Sequence, residues 1–144
     1  MNDSTEEFGL TLAGISRAWR TKLDERLRVF GLSQAKWATL LHLSHYPDGL
    51  IQKELAERIG IEGPTLVRLL DRLEIDGLVI RCASASDRRI RIIRLTTKAE
   101  PLLGKIQQIA GNLRHEILGD VAVSELNACI NLMKGIRKRI DSLG

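Results

Sequence analysis

The apolar positions in the first third of the chain recur at helical spacing and predict two helices. The first helix should run from about Glu6 to Phe30 and end at Gly31, with an apolar stripe made of Leu10, Ala13, Ile15, Ala18, Trp19, Leu23 and Leu27. Ser33 is a suitable N-cap for a second helix, from Gln34 to about His45. Its inner face should hold Trp37, Leu40, Leu41 and Ser44.

The middle of the chain predicts a pair of helices followed by a hairpin. After the turn signal Pro47-Asp48-Gly49, a short helix from about Gln52 to Ile59 carries Ile51, Leu55 and Ile59 on one face, and Gly60 breaks it. The next helix, about Glu62 to Asp76, has Pro64 in its first turn, ends at Gly77 and buries Leu66, Leu69, Leu70 and Leu73. Two strands should follow, Leu78 to Ala83 and Arg89 to Leu95, joined by a turn over Ser84 to Asp87.

The last third predicts two longer helices. Thr97 with Glu100 matches a capping box for a helix that runs to about Leu118, with Pro101 in its first turn. A final helix should cover about Val123 to Leu143. Its apolar residues alternate spacings of three and four, as in a coiled-coil seam: Leu126, Ile130, Met133, Ile136, Ile140 and Leu143. The fold class is therefore mainly α with a small β-hairpin, or α+β.

The composition indicates one folded domain with a local basic patch. The chain has 144 residues, of which 44% are hydrophobic and only 3% aromatic, so the core should be built from Leu, Ile and Val. Between Arg81 and Lys98 there are six cations against Asp87 alone, a local excess that exceeds the net charge of +4 of the whole chain. Such a patch is typical of a polyanion partner, whereas the alternative is a solvated arginine-rich hairpin that binds nothing.

Two helices followed by a basic hairpin is the layout of a winged helix-turn-helix, which reads DNA with three parts. The helix 62–76 should enter the major groove, and the helix 52–59 should support it from behind. The hairpin 84–91 should contact the minor groove. Arg68 is suited to guanine and Thr65 to a thymine methyl group or a phosphate. Arg88 is suited to a narrow minor groove, and Asp87 to orienting an arginine.

A simpler interpretation of the helix arginines stays open at this stage. Arg68 and Arg72 can also be ordinary exposed side chains that pair with Asp71, Glu74 or Asp76, since such pairs are common and weak.

These residues resemble the MarR family of bacterial transcription regulators. The resemblance rests on Gly60-Ile61-Glu62-Gly63-Pro64-Thr65-Leu66-Val67-Arg68, on Leu73-Glu74-x-x-Gly77-Leu78-Val79, and on Ser86-Asp87-Arg88-Arg89 followed by Leu95-Thr96-x-Lys98-Ala99. The N-terminal residues Trp19-Arg20, Asp24, Arg26-Leu27, Gln34, Trp37 and Thr39-Leu40 are similar to the SlyA subgroup. The resemblance covers nearly the whole chain.

The resemblance implies a homodimer that reads a palindromic site on double-stranded DNA. Residues 1–144 would form one MarR-like domain, with a winged helix-turn-helix at about 34–96 and dimerisation helices at about 6–30 and 97–143, and the seam 126–143 would lie in the dimer interface. The DNA-binding positions would be Gly63, Pro64, Thr65, Arg68 and Arg72 on the recognition helix and Asp87, Arg88, Arg89 and Arg91 on the wing. A small aromatic carboxylate that releases DNA would bind near Arg20, Trp37 and Thr39; core packing is the alternative for Trp37, and an ion pair with Asp24 for Arg20.

The sequence offers no support for an enzyme, a cofactor or a metal site. His42, His45 and His115 lack a carboxylate or cysteine at a metal-binding spacing, and Cys82 and Cys129 form no CxxC pair and are expected to be buried fillers. Residues 1–7 do not look like a signal peptide and no apolar run is long enough for a membrane span, so we expect a cytoplasmic, nucleoid-associated protein. A winged helix that binds a protein partner, with non-specific DNA affinity, is the alternative function.

Overall fold

A computed structural model describes residues 3–144 as six α-helices and one three-stranded antiparallel sheet. The helices are α1 (Asp3–Arg28), α2 (Gln34–Ser44), α3 (Gln52–Ile59), α4 (Gly63–Ile75), α5 (Glu100–Leu118) and α6 (Val123–Ser142). The strands are β1 (Leu50–Ile51), β2 (Val79–Ala83) and β3 (Arg91–Leu95), and a 3₁₀ turn (Thr97–Ala99) precedes α5. The predicted fold class is confirmed.

The chain divides into two compact units, Met1–Ala110 and Gly111–Gly144. Within the first unit the core is built mainly from leucine, as the scarcity of aromatic residues predicts. Its fully buried side chains come from every element between α1 and β3 except β1, and include Leu27, Leu40, Leu55, Leu66, Leu70, Leu73 and Ile93. Among the described residues, no helix has both the length and the apolar composition that a membrane span requires.

The predicted helix boundaries in this unit are confirmed to within three residues because their local signals are strong. The Ser33 hydroxyl accepts the Lys36 N–H at 3.3 Å and so caps α2. Gly77 has a φ of 77° and closes α4 in a Schellman motif, in which its N–H donates to Glu74 and the Leu78 N–H donates to Leu73. The same motif sends the chain directly from α4 into β2.

The sheet has one strand more than the sequence predicted. β3 lies in the centre, paired with β2 through Arg81 and Ile93 and with β1 through Leu50 and Ile93. Ile51, predicted on the inner face of α3, instead belongs to β1 and is 37% exposed. A strand of two residues is too short to show the alternating pattern of a strand in its sequence. Only its pairing with β3 in the folded chain identifies β1.

The third strand also explains why Ile92 and Ile93 are adjacent apolar residues. Ile93 is fully buried on one face of β3. On the other face Ile92 packs against the turn at Gly49, where an added Cβ would lie 2.6 Å from an Ile92 methyl carbon. Gly49 has a φ of 92°, so this turn needs glycine for both its conformation and its space.

The helix α1 forms as predicted, and within the single chain its apolar stripe is buried only at Leu23 and Leu27. Two further sequence predictions are wrong. The capping box of Thr97 with Glu100 is replaced by the 3₁₀ turn, and the neighbouring Thr96 hydroxyl donates to the Gly77 carbonyl. Cys129 is exposed and is not a buried filler.

Candidate nucleic-acid interface

The helix pair α3 and α4 is joined by a tight turn at residues 60–62. Gly60 adopts the left-handed conformation, and its N–H donates to the Ala56 carbonyl at 2.9 Å. The Leu66 N–H donates to the Glu62 carbonyl at 3.0 Å, and only three residues separate α3 from α4. The turn therefore fixes the start of α4 against its preceding helix, as DNA recognition by a helix-turn-helix requires.

The buried leucine stripe of α4 directs a polar face outward. Leu66 and Leu70 are fully buried, whereas Thr65, Arg68 and Arg72 are exposed. The Arg68 guanidinium lies 3.5 Å from the Thr65 hydroxyl. Among residues 3–144 neither arginine forms an ion pair, so the alternative in which carboxylates of α4 neutralise them is wrong. Two positive charges on this face remain available to an anionic partner.

Two carboxylates of α4 pair instead with Arg81 of β2. The Arg81 Nη2 atom lies 2.6 Å from Asp71 Oδ1 and 3.0 Å from Glu74 Oε1. The hydrogen bonds from Arg81 lower the pKa of Glu74, and the same contacts raise the pKa of Arg81. One of the six cations of the basic window is thus neutralised by the recognition helix and does not contribute to the open basic patch.

The hairpin between β2 and β3, hereafter the wing (residues 84–90), is closed by a local network around Asp87. The Ser84 N–H donates to the Ile90 carbonyl at 2.9 Å, and the Ile90 N–H donates to the Asp87 carbonyl at 3.1 Å. The Asp87 carboxylate accepts the Arg89 N–H at 2.9 Å and the Arg89 Nε–H at 3.2 Å. Both hydrogen bonds lower the pKa of Asp87, and the one from the Arg89 backbone N–H has the larger effect.

The arginine that Asp87 orients is therefore Arg89, and β3 begins at Arg91, two residues later than predicted. Arg88 is exposed and has no carboxylate partner among the described residues. Arg91 is also exposed, with its Nη1 atom 3.5 Å from the Arg88 carbonyl. Arg88 thus offers an unneutralised guanidinium at the tip of the wing.

Two of the three residues predicted to bind an effector lie at one cavity in the structure, and the third does not. Arg20 and Trp37 line a cavity of about 500 Å³ together with His42 and Arg58. Thr39 does not line it, because its side chain is fully buried and its hydroxyl donates to the Ala35 carbonyl at 2.7 Å.

The core role of Trp37 is confirmed, since it is 5% exposed and its Nε1–H donates to Asp24. Asp24 pairs with Arg28, so the alternative pair of Asp24 with Arg20 is not seen.

The cavity also contains residues that the sequence did not single out as ligand contacts. His42 is half-buried, and desolvation, followed by the charges of Arg58 and His45, lowers its pKa. Arg58 lies at the end of α3, far along the chain from Arg20, so no local pattern brings the two together. No group of three or more His, Cys, Asp or Glu side chains in residues 3–144 is placed to hold a metal ion.

The apolar seam of α6 is open in the single chain. This helix has no buried residue, and the seam residues Ile130, Met133, Ile140 and Leu143 are each 38% or more exposed. Leu126 and Ile136 are half-buried. Cys129 lies in the same helix and is exposed.

This chain is similar to solved structures of transcriptional regulators. The model of the MarR family matches residues 30–90. The crystal structure of the transcriptional regulator PA3341 is 47% identical, spans 94% of this chain and 99% of its own, and superposes with a TM-score of 0.85. A MarR family transcriptional regulator from Silicibacter pomeroyi DSS is 28% identical over 93% of this chain and 89% of its own, with a TM-score of 0.82.

A more distant structure, CouR from Rhodococcus jostii RHA1 bound to p-coumaroyl-CoA, is 21% identical over 92% of each chain and shares the fold with a TM-score of 0.75. The level of identity to PA3341 over nearly the full length, together with the family match across the helix-turn-helix and the wing, shows that this chain belongs to the MarR family of DNA-binding transcriptional regulators.

Proposed function

We propose that this chain is a homodimeric regulator that reads a palindromic DNA site, with α4 in the major groove and the wing in the minor groove. The observation that carries the proposal is the pair Arg68 and Arg88, one on the outer face of α4 and one at the wing tip. Both are exposed, and neither has a carboxylate partner within residues 3–144. A protein that acts on chromosomal DNA would work in the cytoplasm, at the nucleoid.

The contacts divide between base edges and the phosphate backbone. Arg68 can donate two hydrogen bonds to guanine, and Thr65 reaches a thymine methyl group or a phosphate. Gly63 and Pro64 allow the backbone at the start of α4 to approach the DNA closely, and Arg72 lies one turn deeper along the helix. On the wing Arg88 enters the minor groove, Arg89 and Arg91 contact the backbone, and Asp87 keeps Arg89 in place.

The open apolar faces indicate that a second copy of the chain covers them. The seam of α6 consists of Leu126, Ile130, Met133, Ile136, Ile140 and Leu143, and α1 exposes Phe8, Leu12 and Ile15 at helical spacing. Exposed apolar faces of this kind mark protein interfaces. Regulators of this family function as dimers, and a two-fold dimer matches a palindromic site.

We further propose that a small aromatic carboxylate releases the DNA by binding in the cavity lined by Arg20, Trp37, His42 and Arg58. The lining of the cavity includes two arginines, a residue type that binds carboxylates, and the aromatic residue Trp37. It also includes Ile59 and Gly60, which directly precede α4, so a ligand there would act on the turn that orients the recognition helix. CouR, which shares this fold, binds p-coumaroyl-CoA.

Placement in the SlyA-like subgroup is also a proposal. Asp24 and Trp37 are two of the residues in which this sequence is similar to the SlyA subgroup. The hydrogen bond between their side chains supports the placement, because it gives the two residues a shared structural role.

Fluorescence anisotropy tests the proposed function directly. The full chain is titrated with a palindromic A·T-rich duplex from the region upstream of its own gene, and with a scrambled duplex, at low and physiological salt. We expect tight binding to the native duplex that weakens steeply with salt, because each phosphate contact releases counterions. Weak binding that ignores sequence would overturn the proposal and favour a protein-binding winged helix.

A further inference from the structure

Arg81 connects the strand that leads into the wing with the recognition helix. Its guanidinium contacts Asp71 at 2.6 Å and Glu74 at 3.0 Å, and its Nε atom lies 3.5 Å from the other Glu74 oxygen. The Arg81 side chain is 21% exposed, whereas those of its two partners are 52% and 43% exposed. Asp71 and Glu74 are three residues apart, so they share one face of α4 and one arginine spans a full helical turn.

The ion pairs of Arg81 lie close in the chain to both arginines that we propose read DNA, Arg68 and Arg88. Asp71 lies one turn beyond Arg68 on α4. Arg81 lies in β2, which ends at Ala83 and continues directly into the wing that carries Arg88. The Schellman motif at the end of α4 fixes only the point where β2 begins. The contact of Arg81 is a second link between helix and strand, and two points of attachment restrict the angle between them.

We propose that Arg81 is a positioning residue for DNA binding, which holds the wing at the angle to α4 that lets Arg68 and Arg88 enter their two grooves together. The inference rests on the proposed function, in which these two arginines read DNA. Arg81 itself does not contact DNA, because its guanidinium is occupied by two carboxylates. A partly exposed ion pair contributes little to folding, so its main effect is on geometry.

Variants that neutralise the two carboxylates distinguish the effect of the wing position on DNA affinity from the effect of net charge. The double variant Asp71→Asn/Glu74→Gln removes the partners of Arg81 and makes the protein more positive by two charges. Simple electrostatics therefore predicts tighter DNA binding, whereas loss of positioning predicts weaker binding. The matched control is Glu54→Gln/Asp76→Asn, which adds the same charge from two exposed carboxylates that have no ion pair with Arg81. Thermal unfolding verifies that each variant is folded.

The decisive quantity is the loss of affinity that Arg88→Ala causes in each background, measured by anisotropy on the native duplex. We expect a loss of about tenfold or more in the wild type and in the control, the range of one good base-groove contact. In Asp71→Asn/Glu74→Gln and in Arg81→Met we expect it to fall to about twofold or less, since a misplaced wing loses its contact.

The outcomes for Arg81 and for the proposed function differ. A double variant that binds more tightly than wild type and keeps the full effect of Arg88→Ala would overturn the positioning role alone. A wild type that does not distinguish native from scrambled duplex would overturn the proposed function, and the role of Arg81 with it.

Discussion

Trp37 of α2 donates its indole N–H to Asp24 of α1 at 3.1 Å, and the second oxygen of the same carboxylate accepts a bond from Arg28. The hydrogen bond from Trp37 is the main reason why the pKa of Asp24 is lowered. The pair joins the first two helices at the wall of the cavity that also contains Arg20.

We expect Trp37→Phe to lower the free energy of unfolding by about 1–3 kcal/mol, because it removes a partly buried hydrogen bond to a charged acceptor and some packing area. Chemical denaturation at neutral pH measures the change. Glu25→Gln is the control, since it breaks only the exposed pair with Lys22, and we expect a change below about 0.5 kcal/mol. Equal effects of the two variants would contradict a role for the indole bond.

Arg68→Ala should relax the preference for one base pair in each half-site. A bidentate contact to guanine contributes about 1–3 kcal/mol of discrimination between bases. Without it, duplexes that differ only at that base pair should bind the variant with nearly equal affinity. Competition anisotropy over a set of single-base variants of the native duplex makes the measurement. Arg114→Ala removes the same charge from an exposed position in α5 and should leave the base preferences unchanged.

Arg88→Ala should weaken binding chiefly where the flank of the site is A·T-rich. A narrow A·T-rich minor groove has the most negative potential, and the guanidinium at the wing tip is the group placed to use it. The comparison pairs A·T-rich and G·C-rich flanks around one core site. An equal loss on both flanks would show that Arg88 contacts the backbone only.

Ile130→Asp together with Met133→Asp should convert a dimer into a monomer, because it places two carboxylates in the apolar seam of α6. Light scattering should then give a mass near the 16.1 kDa of one chain, against about twice that value for the wild type. Asn131→Asp is the control, since Asn131 is exposed and lies outside the seam. A wild type that is already monomeric at micromolar concentration would refute the assigned interface.

His42 should make the protein sensitive to mild acid. Its pKa lies below the ordinary 6.5 because burial disfavours the charged imidazole, so the neutral form is favoured in the folded state. The resulting stability is fully present above about pH 6.5 and is lost as the pH falls through the lower folded-state pKa.

We expect His42→Gln to show a smaller fall in melting temperature than the wild type when the pH is lowered from about 7.5 to about 5.5. His115→Gln, at an exposed position in α5, is the control for removal of an imidazole. If the melting temperatures of the wild type and of His42→Gln fall by the same amount over this pH range, a group other than His42 causes the loss of stability.

The sequence by itself determined the helices, the caps at Ser33, Gly60 and Gly77 and the leucine stripe of α4, because these features depend on local periodicity and on single residues. It also indicated the basic wing and the exposed face with Thr65 and Arg68, since the same periodicity that buries four leucines directs the intervening residues outward.

Only the tertiary structure decided which charges stay open and which elements meet. Arg81 looked like part of the basic patch, yet it is occupied by Asp71 and Glu74, which lie up to ten residues away in another element. The two-residue strand β1 exists only because β3 pairs with it, and His42 and Arg58 share a cavity only because α2 packs on α3. Such pairings depend on distances between elements that are remote in sequence, and no local pattern of residues records them.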